Sequence, residues 1–236
     1  MNIEQLYQDL SHGKFSNIAL GGDGNGTILE ASKPKIILAA NEALLRLHTK
    51  FVLKENDLMI EMVDHITNYH LLKKFAESSS FLGSTTQPYT YIKDLMREPF
   101  TEDVIRILSV QDEFGCTLPL NDEGQPESVF TPQGNVLQVP RPVEGRVLIL
   151  LYQARHNKLI VDNAEQEIVL PDCLHEAMRC YIAYHVYSGM NTQEATLKSQ
   201  EHLSMYEALC REAVEQDLVS TSLSVTSNRF YKNGWV

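Results

Sequence analysis

The chain has 236 residues, 43% of them apolar, with a formal charge of −11 from 31 acidic and 20 basic residues. That length and apolar content support an ordinary buried core, and the acidic excess excludes a surface that neutralises phosphates over the whole molecule. No stretch approaches the roughly 20 apolar residues of a membrane span, and Met1-Asn2-Ile3-Glu4-Gln5-Leu6 lacks the basic and apolar blocks of a signal peptide.

The chain opens on a short amphipathic segment, Ile3 to Leu10, followed by the glycine-rich run Gly21-Gly22-Asp23-Gly24-Asn25-Gly26. Such a run supplies positive φ angles and reads as a surface loop. Asp23-Gly24-Asn25-Gly26 matches the middle of a calcium loop, but Gly21 and Ser32 stand where its first aspartate and last glutamate belong. The next element is a core helix with Ser32 as N-cap and Pro34 in its first turn. Ile36, Ile37, Ala40, Ala43, Leu44, Leu47 and Phe51 share one face of it.

Leu58 to Val63 then reads as a strand, and Tyr69 to Phe75 as a short helix or irregular segment. Serines and threonines around Gly83 mark a loop. From Val104 to Leu170 the pattern is β-structure. Val104–Val110 and Arg146–Tyr152 are the longer strands, Leu159–Val161 and Glu167–Leu170 the shorter ones, in a small antiparallel sheet.

Pro171 opens a helix whose stripe is Leu174, Ala177, Met178, Tyr181, Ile182, His185 and Val186, ending near Gly189. Asn191 as N-cap with Glu194 three residues on resembles a capping box for a second helix bearing Leu203, Tyr206, Leu209, Cys210, Ala213 and Val214. The short link predicts an antiparallel hairpin. Tyr181, Tyr184, Tyr187 and Tyr206 read first as helix packing; Tyr184 and Tyr187 lie partly off the stripe, which also makes them candidates for facing a neighbouring subunit.

Residues 220–228 are rich in serine and threonine and favour an extended arm. The chain then closes on Arg229-Phe230-Tyr231-Lys232-Asn233-Gly234-Trp235-Val236, which contains the only tryptophan. Large apolar groups on a terminus that would otherwise fray predict an anchor for another surface, with Arg229, Phe230, Tyr231, Trp235 and Val236 as its binding residues; the alternative is a tail folded back onto its own core.

No constellation for chemistry stands out. There is no P-loop, no GxSxG elbow, no HExxH and no CxxC. The nearest histidine cluster, His65 and His70 with Asp64, is a weak metal candidate. Cys173 and Cys180, two helical turns apart, are too distant to pair, and the four cysteines read as reduced. No cofactor, metal or catalytic residue is expected.

The order of features resembles the head-to-tail adaptor, or connector, proteins of tailed bacteriophages. The residues that carry it follow a β-rich stretch and are Leu170-Pro171-Asp172-Cys173-Leu174-His175-Glu176-Ala177, continuing through Tyr181 to Tyr187, then Met205-Tyr206-Glu207 on a second helix. The resemblance implies an α+β fold, mainly an α-helical bundle with a β-rich insertion and an extended C-terminal arm. Its parts would be residues 1–103 in the bundle, 104–170 as the insertion, 171–218 as a helical hairpin and 219–236 as the arm. It implies a structural virion protein, not an enzyme, located at the head-tail neck. Identical subunits would form a ring, commonly of about twelve copies, under the portal protein and above tail or nozzle proteins, with the arm reaching into the portal. DNA would pass through the channel without specific binding, which an acidic wall favours. The alternatives are a tail-completion or neck protein on the tail side, and an intracellular enzyme or small-ligand module.

Overall fold

The chain's first backbone groups are spent at once. Asn2 accepts from the Gln5 amide at 2.8 Å while the Gln5 side chain accepts from the Asn2 amide at 3.0 Å, a reciprocal cap that starts the first helix. The computed structural model describes residues 1–18, 20, 25–81 and 89–219. In chain order its elements are α1 (Ile3–His12), α2 (Lys33–Lys50), β1 (Glu55–Glu61), β2 (Asn68–His70), α3 (Glu77–Phe81) and β3 (Ile92–Lys93). Then come β4 (Val104–Asp112), β5 (Phe130–Gln133), β6 (Val136–Gln138), β7 (Val147–Ala154), α4 (Asp172–Ser188) and α5 (Gln193–Glu215). The fold is α+β, and the chain divides into two compact units, one made of Met1–Leu53 with His156 onward, the other of Lys54–Arg155.

The first unit is helical. α1, α2, α4 and α5 bury one continuous core that includes Leu6, Leu10, Ile36, Leu44, Leu47, Met178, Ile182 and Tyr206. The stripe on α2 is the one its spacing predicts, and Phe51 is fully buried beyond its end. Ser32 sits at the N-cap position but makes no side-chain cap. A 3-10 turn over Glu30–Ser32 leads into the helix instead. α4 and α5 form the expected antiparallel hairpin, with Tyr181 meeting Tyr206 and Tyr187 meeting His202. The cap of α5 is Thr192, accepting from the Ala195 amide at 3.2 Å, one residue later than the Asn191 expected.

The second unit holds two antiparallel sheets, in strand orders β3-β1-β7-β4 and β2-β6-β5. β1 pairs along its whole length with β7, from Glu55 opposite Gln153 to Glu61 opposite Val147. Leu58 and Ile60 are buried on the face where Leu148, Leu150 and Tyr152 also point inward. The turn between β5 and β6 comes so close to β4 that a Cβ on Gly134 would stand 2.4 Å from the Ile105 carbonyl oxygen.

Several sequence expectations change here. The β-rich unit begins at Lys54 and ends at Arg155, not at 104 and 170, because the strand read at Leu58–Val63 is β1 and finds its partner ninety residues on. Tyr69–Phe75, read as a short helix or an irregular segment, has no α-helix. It is β2 followed by a 3-10 turn over Lys73–Phe75. Leu159–Val161 and Glu167–Leu170 are not sheet strands. Leu159 and Ile168 are buried in the helical core, and the second segment makes only an isolated bridge, Asn2 with Glu167. Asn41 on α2 holds the first segment by both ends of its amide, donating to the Leu159 carbonyl at 3.1 Å and accepting from its N–H at 2.8 Å.

Candidate assembly surfaces

The residues expected to bind the portal, Arg229, Phe230, Tyr231, Trp235 and Val236, lie outside the described residues, as do Gly21 to Gly24 of the glycine-rich loop. What is described is the root of the arm. Asp217 takes a left-handed φ of 54° after α5, and Leu218 N–H donates back to the Ala213 carbonyl at 2.9 Å. Val219 then returns to the helical core, so the first residue assigned to the arm is packed.

The tyrosines of α4 are placed differently from the expectation. Tyr187 is 5% exposed, stacked on His202, edge-on to Phe15, with its hydroxyl donating to the Lys14 carbonyl at 3.1 Å. A ring consumed by its own unit offers almost nothing to a neighbour, which corrects its reading as a subunit contact. Tyr184 is half-buried and leans on Tyr181 at 5.5 Å between ring centres, with its carbonyl accepting from Ser199 Oγ. The Tyr181, Tyr184 and Tyr206 rings thus form a ladder along the hairpin, where burial pushes the Tyr206 hydroxyl far above its ordinary range.

Beside the ladder lies a charged network. Glu176 on α4 receives the Lys14 ammonium at 2.9 Å and Arg179 Nε at 2.9 Å, while Arg179 also pairs with Asp9 of α1. Burial would raise the Glu176 carboxyl, but hydrogen bonding to Lys14 and the nearby Arg179 charge outweigh it and hold the group below its usual value. Cys180, one turn on, is fully buried and its thiol is pushed up by that burial, so it stays protonated at neutral pH. His202 and His175 are both pushed down, first by burial, and each has one buried ring nitrogen, Nδ1 and Nε2 respectively, with no hydrogen-bond partner among the described residues. The network ties α1 to the hairpin. It holds a neutral thiol and neutral imidazoles rather than an activated nucleophile and base.

The β-rich unit contains a cavity of about 590 Å³ lined by Asn56, Glu77, Lys93, Asp94, Phe100, Asp103 and Tyr152 among others. Two of its carboxylates, the buried Asp103 and the half-buried Asp94, are already engaged. Asp103 accepts from Tyr152 Oη at 2.9 Å, Asn56 Nδ2 at 3.1 Å and Lys54 Nζ at 3.2 Å, and Asp94 accepts from the Ser78 and Phe100 amides. Among the described residues no group of three or more His, Cys, Asp or Glu is placed to hold a metal, and His65 reaches only its neighbour Asp64. Among the described residues the most exposed large apolar side chain is Phe114, at 79%, on a turn where Asp112 Oδ1 accepts from the Phe114 and Cys116 amides. The string Asp112-Glu113-Phe114-Gly115 has the composition of a turn, but nothing in it separates an outward ring from an inward one.

No family model and no curated protein matches the chain. The described residues hold no helix long and apolar enough to cross a membrane.

Proposed function

We propose that the chain is a structural head-to-tail adaptor of a tailed bacteriophage, without enzymatic activity or cofactor. Identical subunits form a ring under the portal at the virion neck, above the tail or nozzle proteins, with the genome passing through unrecognised. In this reading the helices form the bundle, Lys54–Arg155 is its β-rich insertion and the residues after Val219 are the portal-docking arm. The observation that carries it is the resemblance over Leu170–Tyr187 and Met205–Glu207, two segments that lie on α4 and α5 of one hairpin. The position of the β-rich unit between α2 and α4 in the chain supports it further.

Docking fixes the arm's backbone at a cost of about 1–2 kcal/mol per residue, so Phe230, Tyr231 and Trp235 must bury enough area to offset it. Removing residues 230–236 is expected to abolish binding to the portal of the same source genome while leaving the helical unit folded. Electron microscopy of the mixture reads the result as stacked rings for the full chain and bare portal for the truncation. Undiminished binding by the truncated chain rejects the arm, and absence of any complex with the full chain rejects the adaptor. Cross-links from the C-terminus to a tail component and none to the portal would instead mark a neck protein on the tail side. The cavity beside Asp103 and Tyr152 favours a small-ligand module as second reading, and a thermal shift on ligand addition without ring formation is its signature.

A further inference from the structure

α2 and α5 each keep one face in the core and turn the other outward, and the two outward faces are opposite in charge. α2 carries Lys33, Lys35, Arg46 and Lys50 against the single acid Glu42. α5 carries Glu194, Glu201, Glu207, Glu212 and Glu215 against Lys198 and Arg211. Both faces also expose apolar side chains, Leu38 at 58% and Leu45 at 48% on α2, Leu197 at 62% and Met205 at 38% on α5. The buried stripe of α5, Ala195, Ser199, Tyr206, Cys210 and Ala213, lies on the other side of the helix from Leu197, Glu201, Ala208 and Glu212.

The spacings match as well. Lys35 and Arg46 are eleven residues apart, with Leu38 and Leu45 between them, and Glu201 and Glu212 are eleven apart, with Met205 and Ala208 between them. Eleven residues make about three turns and 16 Å of helix, so both pairs present charges of opposite sign at the same separation, bracketing apolar groups. No ion pair among the described residues uses any of these four charges. Glu212 only accepts a hydrogen bond from Gln216, and Arg46 lies over the Tyr181 ring. Glu42, the one acid on α2, is taken up by His185 at 3.0 Å.

We infer that the α2 face of one copy docks on the α5 face of another, a head-to-tail contact in which Lys35 and Arg46 meet Glu201 and Glu212 around Leu38, Leu45 and Met205. Two different patches on one chain make the contact heterologous, so it repeats from copy to copy and closes into a ring or runs on as a filament. The occupant is a second copy because one chain carries both complementary halves. The inference deepens the ring reading above and rests on it.

The test is a charge exchange on the full-length chain, read by sedimentation velocity across protein concentration and by electron microscopy. Lys35→Glu with Arg46→Glu makes both faces acidic, and Glu201→Lys with Glu212→Lys makes both basic. All four sites are exposed or edge positions, and melting curves confirm that each variant is folded. Each variant alone is expected to associate at least about tenfold more weakly than the unaltered chain, because like charges then face each other. An equimolar mixture restores association, since every junction between the two variants again pairs acid with base. Added salt is expected to weaken the unaltered chain's association. Variants that assemble as the unaltered chain does, or a mixture no better than its parts, overturn this contact and leave the ring reading standing. An unaltered chain that stays monomeric at millimolar concentration and on the portal overturns both.

Discussion

The helical unit and the β-rich unit solve the problem of buried polar groups in different ways. In the helices the backbone satisfies itself, so the polar side chains left over join one element to another: Arg179 to Asp9, Lys14 to Glu176, Asn41 to Leu159. In the β-rich unit buried side chains are drafted into the sheet's own wiring, with Asp103 gathering Lys54, Asn56 and Tyr152, and Asp94 tying Ser78 to Phe100. The β-rich unit thus spends these polar groups internally, whereas α2 and α5 turn exposed apolar and charged side chains outward. On the ring reading proposed above, that contrast favours the helices as the contact surfaces.

The largest effect comes from breaking a core. Ile182 is fully buried in α4, and Ile182→Ala is expected to cost about 3 kcal/mol through lost burial and a cavity. Hydrogen exchange on the full chain checks where the loss falls. Protection should drop across α2, α4 and α5 while β1 and β7 keep theirs, and equal losses in both sets would mean that the two units open as one.

A smaller effect is expected from a change of one methyl group in the other unit. A Cβ at Gly134 would meet the Ile105 backbone, which cannot rotate away as a side chain could. Gly134→Ala should therefore cost about 1–3 kcal/mol by overpacking, in contrast to the same change at Gly145, where the space is open but φ is 76°. A denaturant midpoint for Gly134→Ala equal to that of the unaltered chain would show that the hairpin shifts freely off β4.

How far the sequence could be read follows the same division. The stripes of α2 and α4 were legible because period 3.6 is a local property, and Leu174 to Val186 needs no knowledge of its partner. On α5 Tyr206, Cys210 and Ala213 are buried as expected, but Val214 stands 41% exposed and the buried face continues through Ser199 and Ala195 instead. The sheets were legible only where strands are long and apolar, as in β4 and β7. β2 is three residues long and owes its state to β6, nearly seventy residues away, and β1's place beside β7 is just as non-local. Leu159 and Ile168 look like strand residues because they are apolar and branched, yet helices bury them just as well. Of the candidate contacts, Tyr187 was misassigned because a residue just off the stripe is brought inside by a second helix and by the loop at Lys14. The charged faces of α2 and α5 were present in the sequence, but their exposure was not.

The smallest expected effect is a difference in how the two units meet acid. In the helical unit His202 and His175 have folded pKa values below their ordinary 6.5, because burial disfavours the charged ring. As pH falls below about 6.5 the unfolded chain takes up protons that these folded imidazoles refuse, so the helical unit loses stability from there down to their folded values. Glu176 adds a loss at lower pH. Its folded pKa is depressed by Lys14 and Arg179 against the effect of burial, so its contribution is complete above about 4.3 and disappears as pH falls through the folded value. In the β-rich unit the resolved carboxyl shift is that of Asp94, also downward, where hydrogen bonds from Ser78 and Phe100 outweigh burial, and its stabilisation survives until below about 3.9. Exchange protection measured from pH 7 to 5 should therefore decline in α4 and α5 and stay level in β1 and β7. His202→Gln, which cannot titrate, should flatten the decline in the helices. An unchanged slope in that variant would assign the acid sensitivity to other groups, and a parallel decline in the sheets would erase the distinction between a unit that buries neutral imidazoles and one that buries satisfied carboxylates.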